Sequence, residues 1–422
     1  MSGTISRALL LGLMLGTTPA LAQADSFVPF AEFVDILSNA RAADHVGGRS
    51  SLIARAEDFA EMKTHVLGLY TGVSAKHSFM LDGQYFDCIP IGDQPSVRLR
   101  GLKRIAPPPP PPGGLSNSMT TQLDPEQRSD RFGNAVGCQV GTIPMRRITL
   151  EELRRFRNLN EFLQKGPDGA GQVGKQGRAV THLYAHAWQP IQNRGGSSRL
   201  NLWNPSVSPA QVFSLSQHWY VNRPGGVTQT VEGGWQHYPV KYGASSKSVL
   251  FIYWTADSYT ATGCYNLDCV GFVQVNNKIF LGGGFSRYSK VGGAQYEFQM
   301  QWWLTGGNWW MYVGGTAVGY YPGSLWKNTG LATGATSIDY GGETTGDGNY
   351  PRMGSGKFAS AGANKAAYQR LVEYFDTSNA RRVASLNPDQ RTPRCYTISV
   401  RNRSATQWKT YFYYGGPGGT VC

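Results

Sequence analysis

The sequence predicts an all-β protein, an antiparallel β-sandwich domain preceded by a smaller α/β segment. After Arg178, short runs that alternate apolar and polar residues are separated by glycine-rich turns, a pattern typical of sandwiches and barrels. Before that point, apolar residues recur at helical spacing. Residues 165–178 are rich in glycine, which predicts an exposed linker and places the main domain boundary there.

The first 22 residues are typical of a secretory signal. Arg7 supplies a positive charge, residues 8–16 form a short apolar run, and residues 20–22 offer a small-x-small cleavage motif. The apolar run is too short to cross a bilayer. The mature protein is therefore expected to be secreted or periplasmic, without a membrane span.

Helices are predicted behind Pro29, where Phe30, Phe33 and Leu37 follow helical spacing, and behind Thr149, which begins a capping-box pattern. The second helix is expected to run to about Gln164. Between the two helices, residues 107–114 contain six prolines and two glycines. Six consecutive prolines predict an extended polyproline linker with no packed core.

Strands are predicted throughout the second region. Residues 296–302 alternate in polarity and residues 248–254 are apolar, so both are predicted as strands. Hairpins are predicted at 272–281, turning at Asn276-Asn277, and at 309–321, turning at Gly314-Gly315. Residues 363–376 fit a helix or a strand equally well.

Charge and cysteine content limit the classes of function. The net charge is +13, but the basic residues are scattered along the chain. Nucleic-acid binding is therefore not expected, whereas attraction to an anionic cell surface is expected. Six cysteines in an exported chain predict three disulfides, with fifteen conceivable pairings. Cys264 and Cys269 close a short loop and are expected to pair. A zinc site is not expected, because no second ligand pair lies at the required spacing.

Common hydrolase motifs are missing. There is no Gly-x-Ser-x-Gly sequence, and Phe358 stands where a phosphate loop requires Ser or Thr. His182 and His186 are interpreted as ordinary polar residues of a strand. Glu297 is interpreted as a solvated or cleft-lining residue on the polar side of another strand.

Two of the four glutamates after Arg178, Glu232 and Glu343, lie beside Gly-Gly pairs. A paired-carboxylate mechanism needs one ionised and one protonated acid. Adjacent glycines would let a substrate backbone approach, and Trp235 and Tyr340 could shield the carboxylates and raise a pKa. Taken alone, the pattern fits turn glutamates at strand ends equally well.

A series of short motifs occurs in a fixed order over more than 300 residues. They include Ser216-Gln-His-Trp219, Glu232-Gly-Gly-Trp235 and Gly341-Gly-Glu343, with others at residues 253–257, 263–274, 307–310, 318–322, 353–356, 395–396 and 411–418, and upstream at 87–88, 94–96 and 138–147. In this order they resemble the neprosin family of glutamic peptidases. The family usually has Ala, Trp and Val where this chain has Gly233, Tyr340 and Thr344.

The resemblance implies a secreted, acid-active endopeptidase that cuts after proline, with catalytic glutamates at Glu232 and Glu343 and no metal or cofactor. It implies a β-sandwich and an inhibitory segment removed by self-cleavage. The implied boundaries are a signal peptide at 1–22, an activation segment at 23–167 that includes the linker 107–114, and a catalytic domain at 168–422. Proline-containing peptides or proteins are the expected partners of a monomeric enzyme.

The resemblance also implies the disulfides Cys88–Cys138, Cys264–Cys269 and Cys395–Cys422. Because Cys88–Cys138 spans the polyproline linker, a cut inside the linker would not release the upstream piece. Release is expected to need a cut within 165–178, at Pro167, which gives a mature N-terminus near Asp168.

Substrate contacts are expected from polar and aromatic side chains of these motifs. Gln217 or Asn308 would donate to the oxyanion. The aromatic candidates for a proline pocket are Trp219, Trp235, Trp309, Trp310, Tyr320 and Tyr321. Which glutamate is the base stays open, as do two other functions: a carbohydrate-binding β-sandwich and a glycoside hydrolase that uses two carboxylates.

Overall fold

The computed structural model describes residues 26–48, 50–112, 122, 127–165, 180–208, 211–244 and 246–422. The expected signal peptide, the glycines of the polyproline linker and the expected cleavage at Pro167 lie outside these residues. Among the described residues, no helix has both the length and the apolar character needed to cross a membrane.

The N-terminal region packs short helices around a three-stranded antiparallel sheet of order β1-β2-β3. Its strands are β1 (His77–Leu81), β2 (Gln84–Pro90) and β3 (Thr142–Arg146). Its helices are α1 (Phe30–Asn39), α2 (Ala56–Tyr70), α3 (Pro95–Arg98), α4 (Leu150–Leu153) and α5 (Leu159–Leu163), with a 3-10 turn at Ala42–Asp44.

The predicted helix from Thr149 to about Gln164 is wrong, because the chain forms two short helices there. The Thr149 side chain accepts a hydrogen bond from the Glu152 amide and caps α4. The Asn158 side chain accepts one from the Glu161 amide and starts α5. A second N-cap residue inside the segment therefore ends the first helix and begins another.

The regular structure of the rest of the described chain is mostly antiparallel strand. The elements are β4 (Thr181–Asn193), β5 (Gly195–Asn201), β6 (Gln211–Asn222), β7 (Gln229–His237), α6 (Pro239–Tyr242), β8 (Val249–Thr255), β9 (Val273–Gln274), β10 (Glu297–Thr305), β11 (Asn308–Val313), β12 (Thr316–Pro322), β13 (Ala335–Gly346), β14 (Ala367–Phe375), β15 (Arg381–Val383), β16 (Asn387–Gln390), β17 (Thr397–Arg401) and β18 (Tyr411–Gly415). Further 3-10 turns are Pro224–Gly226, Gly323–Trp326, Gly330–Ala332 and Ala359–Ala361.

These strands form two sheets that pack face to face. The six-stranded front sheet has the order β16-β4-β13-β6-β7-β8. The nine-stranded back sheet has the order β17-β18-β14-β5-β10-β11-β12-β9, with β15 paired to β14. The predicted β-sandwich with a smaller α/β N-terminal region is confirmed.

Two local predictions have opposite outcomes. The hairpin at 309–321 is confirmed as β11 and β12. The hairpin at 272–281 is wrong, because only Val273 and Gln274 form a strand. The Phe280 amide donates instead to Gln122 Oε1 of the N-terminal region, at 2.7 Å. The ambiguous segment at 363–376 contains strand β14.

Alternation of side chains decides what each sheet presents to the outside. A Cβ on Gly233 would lie 3.2 Å from Trp302 Nε1 and 3.3 Å from Met300 Sδ, so this residue of β7 faces the back sheet. Glu232, its neighbour, therefore points to the outer face of the front sheet. By the same alternation, Trp303 points to the outer face of the back sheet.

Three disulfides join Cys88 to Cys138, Cys264 to Cys269 and Cys395 to Cys422, the pairs that the resemblance implied. Three such bonds fit an oxidising compartment.

The N-terminal region contacts the sandwich through a buried cluster of charges. Arg146 binds Glu152 at 2.5 Å and Asp268 at 3.4 Å, and Lys241 binds Asp268 at 2.8 Å. All four side chains are at most 3 % exposed. His65 Nε2 lies 2.7 Å from the Asp268 carbonyl oxygen. Two cations and two anions thus balance one another across this interface.

Candidate active site

Strand β6 lies between the strands that carry the two glutamates. Glu232 of β7 pairs with Trp219 of β6, and Glu343 of β13 pairs with Leu215 of the same strand. Between them, Gln217 Nε2 donates to Glu232 Oε2 at 3.1 Å and to Glu343 Oε2 at 3.2 Å. The sheet register therefore brings two carboxylates from distant parts of the chain to one amide.

The neighbouring glycines serve packing within the fold, which corrects the expectation that they make room for substrate. A Cβ on Gly234 would lie 1.9 Å from the Ser216 carbonyl oxygen of β6. A Cβ on Gly342 would lie 2.5 Å from Met353 Sδ. Both distances are too short for any other residue without displacing these neighbours.

Glu232 is held by uncharged hydroxyl groups. Thr230 Oγ1 donates to Glu232 Oε1 at 2.8 Å, and Tyr259 Oη donates to the same oxygen at 2.7 Å. Burial, together with the Glu232 charge, raises the pKa of Tyr259 well above its ordinary value, so the phenol stays protonated and able to donate.

Glu343 is held by a histidine. His182 Nδ1 lies 2.5 Å from Glu343 Oε1, and both side chains are 1 % exposed. The interpretation of His182 as an ordinary polar residue is therefore wrong, because register places it beside a catalytic candidate. Burial acts to raise the pKa of Glu343, but the contacts with Lys165 and His182 outweigh it and lower that pKa.

His186 differs from His182 and does not contact a glutamate of the pair. Its Nδ1 lies 2.7 Å from Asp339 Oδ1 and its Nε2 lies 3.3 Å from Asp389 Oδ2. Glu297 is similarly separate, since it binds Arg199 and Arg370 in the back sheet.

Lys165, from the end of the N-terminal region, occupies the site. Its Nζ lies 2.7 Å from Oε2 of both Glu232 and Glu343, and its side chain is 3 % exposed. The ammonium also lies 5.2 Å from the centre of the Trp219 ring. Burial alone would lower the pKa of Lys165, but the two carboxylates outweigh burial and raise it.

The backbone next to this lysine is fixed as well. The Lys165 amide donates to Tyr253 Oη at 3.2 Å, and that hydroxyl donates to Gln164 Oε1 at 2.8 Å. No motif marks Lys165, which lies just after α5, and it was not predicted to contact the glutamates.

Several other residues expected at the site lie elsewhere. Trp219 and Gln217 are on the glutamate face, but Trp235 and Trp309 are fully buried inside the sandwich, where their indoles donate to the Asn201 and Leu331 carbonyls. Tyr340, expected to shield the pair, also points inward and donates to the Glu373 carbonyl.

The remaining candidates belong to the back sheet. Asn308 begins β11, and Tyr321 stacks on Trp302 between the sheets at 5.6 Å. Trp310 and Tyr320 lie together on the outer face of the back sheet, with ring centres 4.6 Å apart. None of these four residues therefore lines the glutamate site.

The fold and the site define a β-sandwich protein with a buried pair of glutamates on one outer face. Residues 210–417 match the family model described as Neprosin, and this part of the chain belongs to the neprosin family. Membership of this family supports peptidase activity.

Among solved structures, the chain is similar to a scytalido-glutamic peptidase crystallised with a transition state analog inhibitor. The two share 10% sequence identity, with 56% of this chain and 99% of that chain covered and a TM-score of 0.28.

Proposed function

We propose that this protein is a glutamic endopeptidase that cuts on the C-terminal side of proline at acid pH and is made as a latent precursor. The observation that carries the proposal is the convergence of Glu232 and Glu343 on the Gln217 amide, at 3.1 and 3.2 Å, in a buried site. Family membership supports the peptidase class, and the preference for proline follows from the resemblance.

The surroundings of the two glutamates favour different roles. His182 beside Glu343 stabilises the ionised carboxylate, whereas Thr230 and Tyr259 offer Glu232 only neutral hydroxyl groups. Two close carboxylates do not both ionise readily. Glu343 is therefore assigned as the general base and Glu232 as the protonated acid.

The reaction proceeds as an acid–base hydrolysis. Ionised Glu343 takes a proton from a water molecule while the oxygen of that water bonds to the scissile carbonyl carbon. Glu232 donates a hydrogen bond to the carbonyl oxygen, with the Gln217 amide as a second donor to the developing oxyanion. Glu232 then protonates the leaving nitrogen as the C–N bond breaks. A proton passing from Glu343 to Glu232 restores the starting state.

Latency follows from the position of Lys165. Its ammonium fills the space between the two Oε2 atoms, where the mechanism needs the water. The same contact lowers the pKa of Glu343 and places a cation against Glu232 Oε2, where the mechanism needs the scissile carbonyl. Trp219, a candidate wall for the substrate proline, is covered by the same side chain.

Removal of the N-terminal region requires a cut beyond Lys165. Lys165 lies after Cys138, so a cut inside the polyproline linker leaves it joined to the sandwich, and the Cys88–Cys138 disulfide keeps the upstream piece attached as well. Pro167 lies outside the described residues and stays the predicted self-cleavage site. N-terminal sequencing of the acid-processed protein tests this point, with a start near Asp168 expected and a start before Cys138 contradicting it.

The activity is tested with a proline-containing peptide after acid incubation, with a chelator present. Glu232→Gln and Glu343→Gln should each lower cleavage by about 10³-fold, the scale of acid–base catalysis. Glu297→Gln is the matched control, because this glutamate pairs with Arg199 and Arg370 in the other sheet. No cleavage by fully processed wild-type protein would overturn the proposal, and glycoside substrates and glycan binding tested alongside would then address the alternatives.

A further inference from the structure

The outer face of the back sheet carries an aromatic groove on the side of the sandwich opposite the glutamates. We define the tyrosine groove as Trp303, Trp310, Tyr312 and Tyr320, with Arg381 at one end. Trp310, Tyr312 and Tyr320 are at most 3 % exposed. They belong to a small apolar cluster that includes Val97 and the flanking residues of the polyproline segment.

Residues 106–112 occupy this groove with a three-residue repeat. Ala106, Pro109 and Pro112 are half-buried, whereas residues 107, 108, 110 and 111 are exposed. A polyproline II helix has three residues per turn. One edge of such a helix therefore lies against the sheet along its whole length.

The hydrogen bonds follow the same repeat. The Ala106 amide donates to Tyr320 Oη at 3.1 Å, Tyr312 Oη donates to the Pro109 carbonyl at 3.0 Å, and Arg381 Nη2 donates to the Pro112 carbonyl at 2.9 Å. A polyproline II helix makes no internal hydrogen bonds, so its carbonyls are free for such donors.

Grooves lined by aromatic side chains are a recurring mode of recognition for proline-rich peptides in the polyproline II conformation. Here the Tyr312 hydroxyl and the Arg381 guanidinium donate to the carbonyls of successive turns, and the Tyr320 hydroxyl accepts a hydrogen bond from the Ala106 amide. From this geometry we infer that the tyrosine groove is a second peptide-binding site, which takes polyproline II segments of proline-rich polypeptides once residues 106–112 leave it. In the precursor, the chain's own segment fills the site.

The recognition depends on backbone shape more than on any single side chain. Donors matched to every third carbonyl require the spacing of a polyproline II helix, about 9 Å per turn. Burial raises the pKa of Tyr312, so its hydroxyl remains a donor under acid and neutral conditions alike. The groove does not contain Glu232 or Glu343, so peptide binding there does not use the catalytic pair, and only the opening of the groove rests on the proposed removal of the N-terminal region.

Binding is tested in the full chain with the groove vacated. Residues 107–112 are replaced by alternating glycine and serine, and Glu343→Gln is included so that no probe is cleaved. The probe is an acetylated, amidated peptide of Ile-Ala followed by six prolines, as in residues 105–112. Calorimetry should show saturable binding with one site in the vacated variant and at least tenfold weaker binding in the parent, whose groove is filled.

Two controls distinguish specific recognition of the polyproline peptide from non-specific binding. A peptide of equal length with glycine and serine in place of proline should bind at least tenfold more weakly. Tyr312→Phe with Tyr320→Phe in the vacated variant should weaken binding about tenfold, because two hydrogen bonds are lost while the rings remain. Tyr411→Phe, a half-buried tyrosine of the same sheet outside the groove, should leave the affinity unchanged.

A thermal unfolding curve first shows that the vacated variant is folded. The inference is overturned if this variant does not bind the probe, or if it binds the glycine–serine peptide with equal affinity. If the linker replacement prevents folding, a recognition sequence for a specific added protease is placed at residues 167–172 of the Glu343→Gln chain. Removal of the cut N-terminal region and of that protease then offers a vacated groove without any change in the sheet. Absence of binding there has the same consequence. Because the probe is never cleaved in these experiments, a failure of the proposed peptidase activity leaves their outcome unaffected.

Discussion

The N-terminal region contacts both outer faces of the sandwich, and the two contacts differ in kind. At the front sheet, a single ammonium lies 2.7 Å from two buried carboxylates. At the back sheet, neutral hydroxyls and one guanidinium meet backbone groups of a polyproline segment. The front contact depends on the ionisation of carboxylates, whereas the back contact does not. Acid should therefore weaken the front contact and leave the back contact unchanged.

The sign of the front effect follows from the pKa of Glu343. This pKa is lowered from its ordinary value of 4.5 in the folded precursor. A lowered carboxylate pKa gives stabilisation that is complete above the ordinary value and is lost as the pH falls through the lowered one. The pKa of Asp268 at the charged interface is lowered too, since Lys241 and Arg146 outweigh the effect of burial, so this contact weakens in the same direction.

His65 adds to the acid sensitivity of that interface. Burial lowers the pKa of His65 below its ordinary value of 6.5. A histidine whose pKa is lowered in the folded state opposes folding increasingly as the pH falls below 6.5. The charge of Lys241 lowers the pKa of His65 as well. Carboxylates and histidine thus act together to weaken these contacts in acid.

The largest expected effect comes from breaking the front contact alone. Lys165→Met keeps much of the side-chain volume but leaves the glutamates without their cation, and loss of a buried ionic partner costs about 3–5 kcal/mol. The full-length variant should cleave a proline peptide at least about 100-fold faster than the wild-type precursor without prior acid incubation. Initial rates at mildly acid pH measure this.

Lys357→Met is the control for that substitution, because Lys357 is exposed on the sandwich. Its precursor should stay latent. Equal latency of the Lys165 and Lys357 variants would mean that other parts of the N-terminal region block the site.

The second prediction compares the two contacts directly through one amide in each. The Lys165 amide bonds to Tyr253 Oη at the front, and the Ala106 amide bonds to Tyr320 Oη at the back. Below the lowered pKa of Glu343, protection of the Lys165 amide should fall about tenfold per pH unit for each linked proton, after correction for intrinsic exchange. Protection of the Ala106 amide should stay within about threefold.

Hydrogen exchange of the Glu343→Gln, Glu232→Gln precursor supplies the matching control, since the front contact then has no carboxylate to titrate. A parallel loss at both amides in the wild type would show global unfolding and would remove the distinction between the faces.

The sequence located the glutamates but not what surrounds them. Trp235 was predicted to line the site beside Glu232. The two residues are three apart in one strand and so lie on opposite faces, which alternation alone predicts. His182 could not be assigned in the same way, because its position beside Glu343 depends on the register of β4 against β13. The position of Lys165 between the glutamates depends on where the end of the N-terminal region crosses the front sheet, and no local sequence pattern determines that crossing.

The prediction that Tyr320 contacts proline shows a different limit. Tyr320 does contact the polyproline segment, but on the back sheet and within the same chain. An aromatic side chain in a strand indicates a surface suited to proline rings, and composition does not say which of the two sheets carries it. The polyproline run was predicted to be a linker without packing. It is extended as expected, but its carbonyls bond to the groove.

A third prediction sharpens the description of the front site. His182→Leu should lower kcat about tenfold or more with little change in KM, because Glu343 loses the group that positions its carboxylate. His182→Asn, which keeps a nitrogen near the Nδ1 position, should recover part of this loss. In both variants the pKa of Glu343 should rise, so the acidic limb of the kcat/KM profile should move to higher pH.

His186→Asn is the comparison for that experiment, since His186 bonds to Asp339 and Asp389. Its acidic limb should stay in place. A uniform loss of kcat in the His182 variants with an unmoved limb would assign His182 a purely structural role and remove the basis for Glu343 as the base.

The smallest expected effect concerns the back contact alone. Tyr320→Phe removes the hydroxyl that accepts the Ala106 amide and keeps the ring beside Trp310, so only one neutral hydrogen bond is lost, worth about 1 kcal/mol. Exchange of the Ala106 amide should rise about fivefold, while protection of the Lys165 amide and the latency of the precursor stay unchanged. If the Tyr320 variant instead became active without acid, the polyproline segment would be part of the latency mechanism. The contacts at the front and back sheets would then hold the N-terminal region cooperatively.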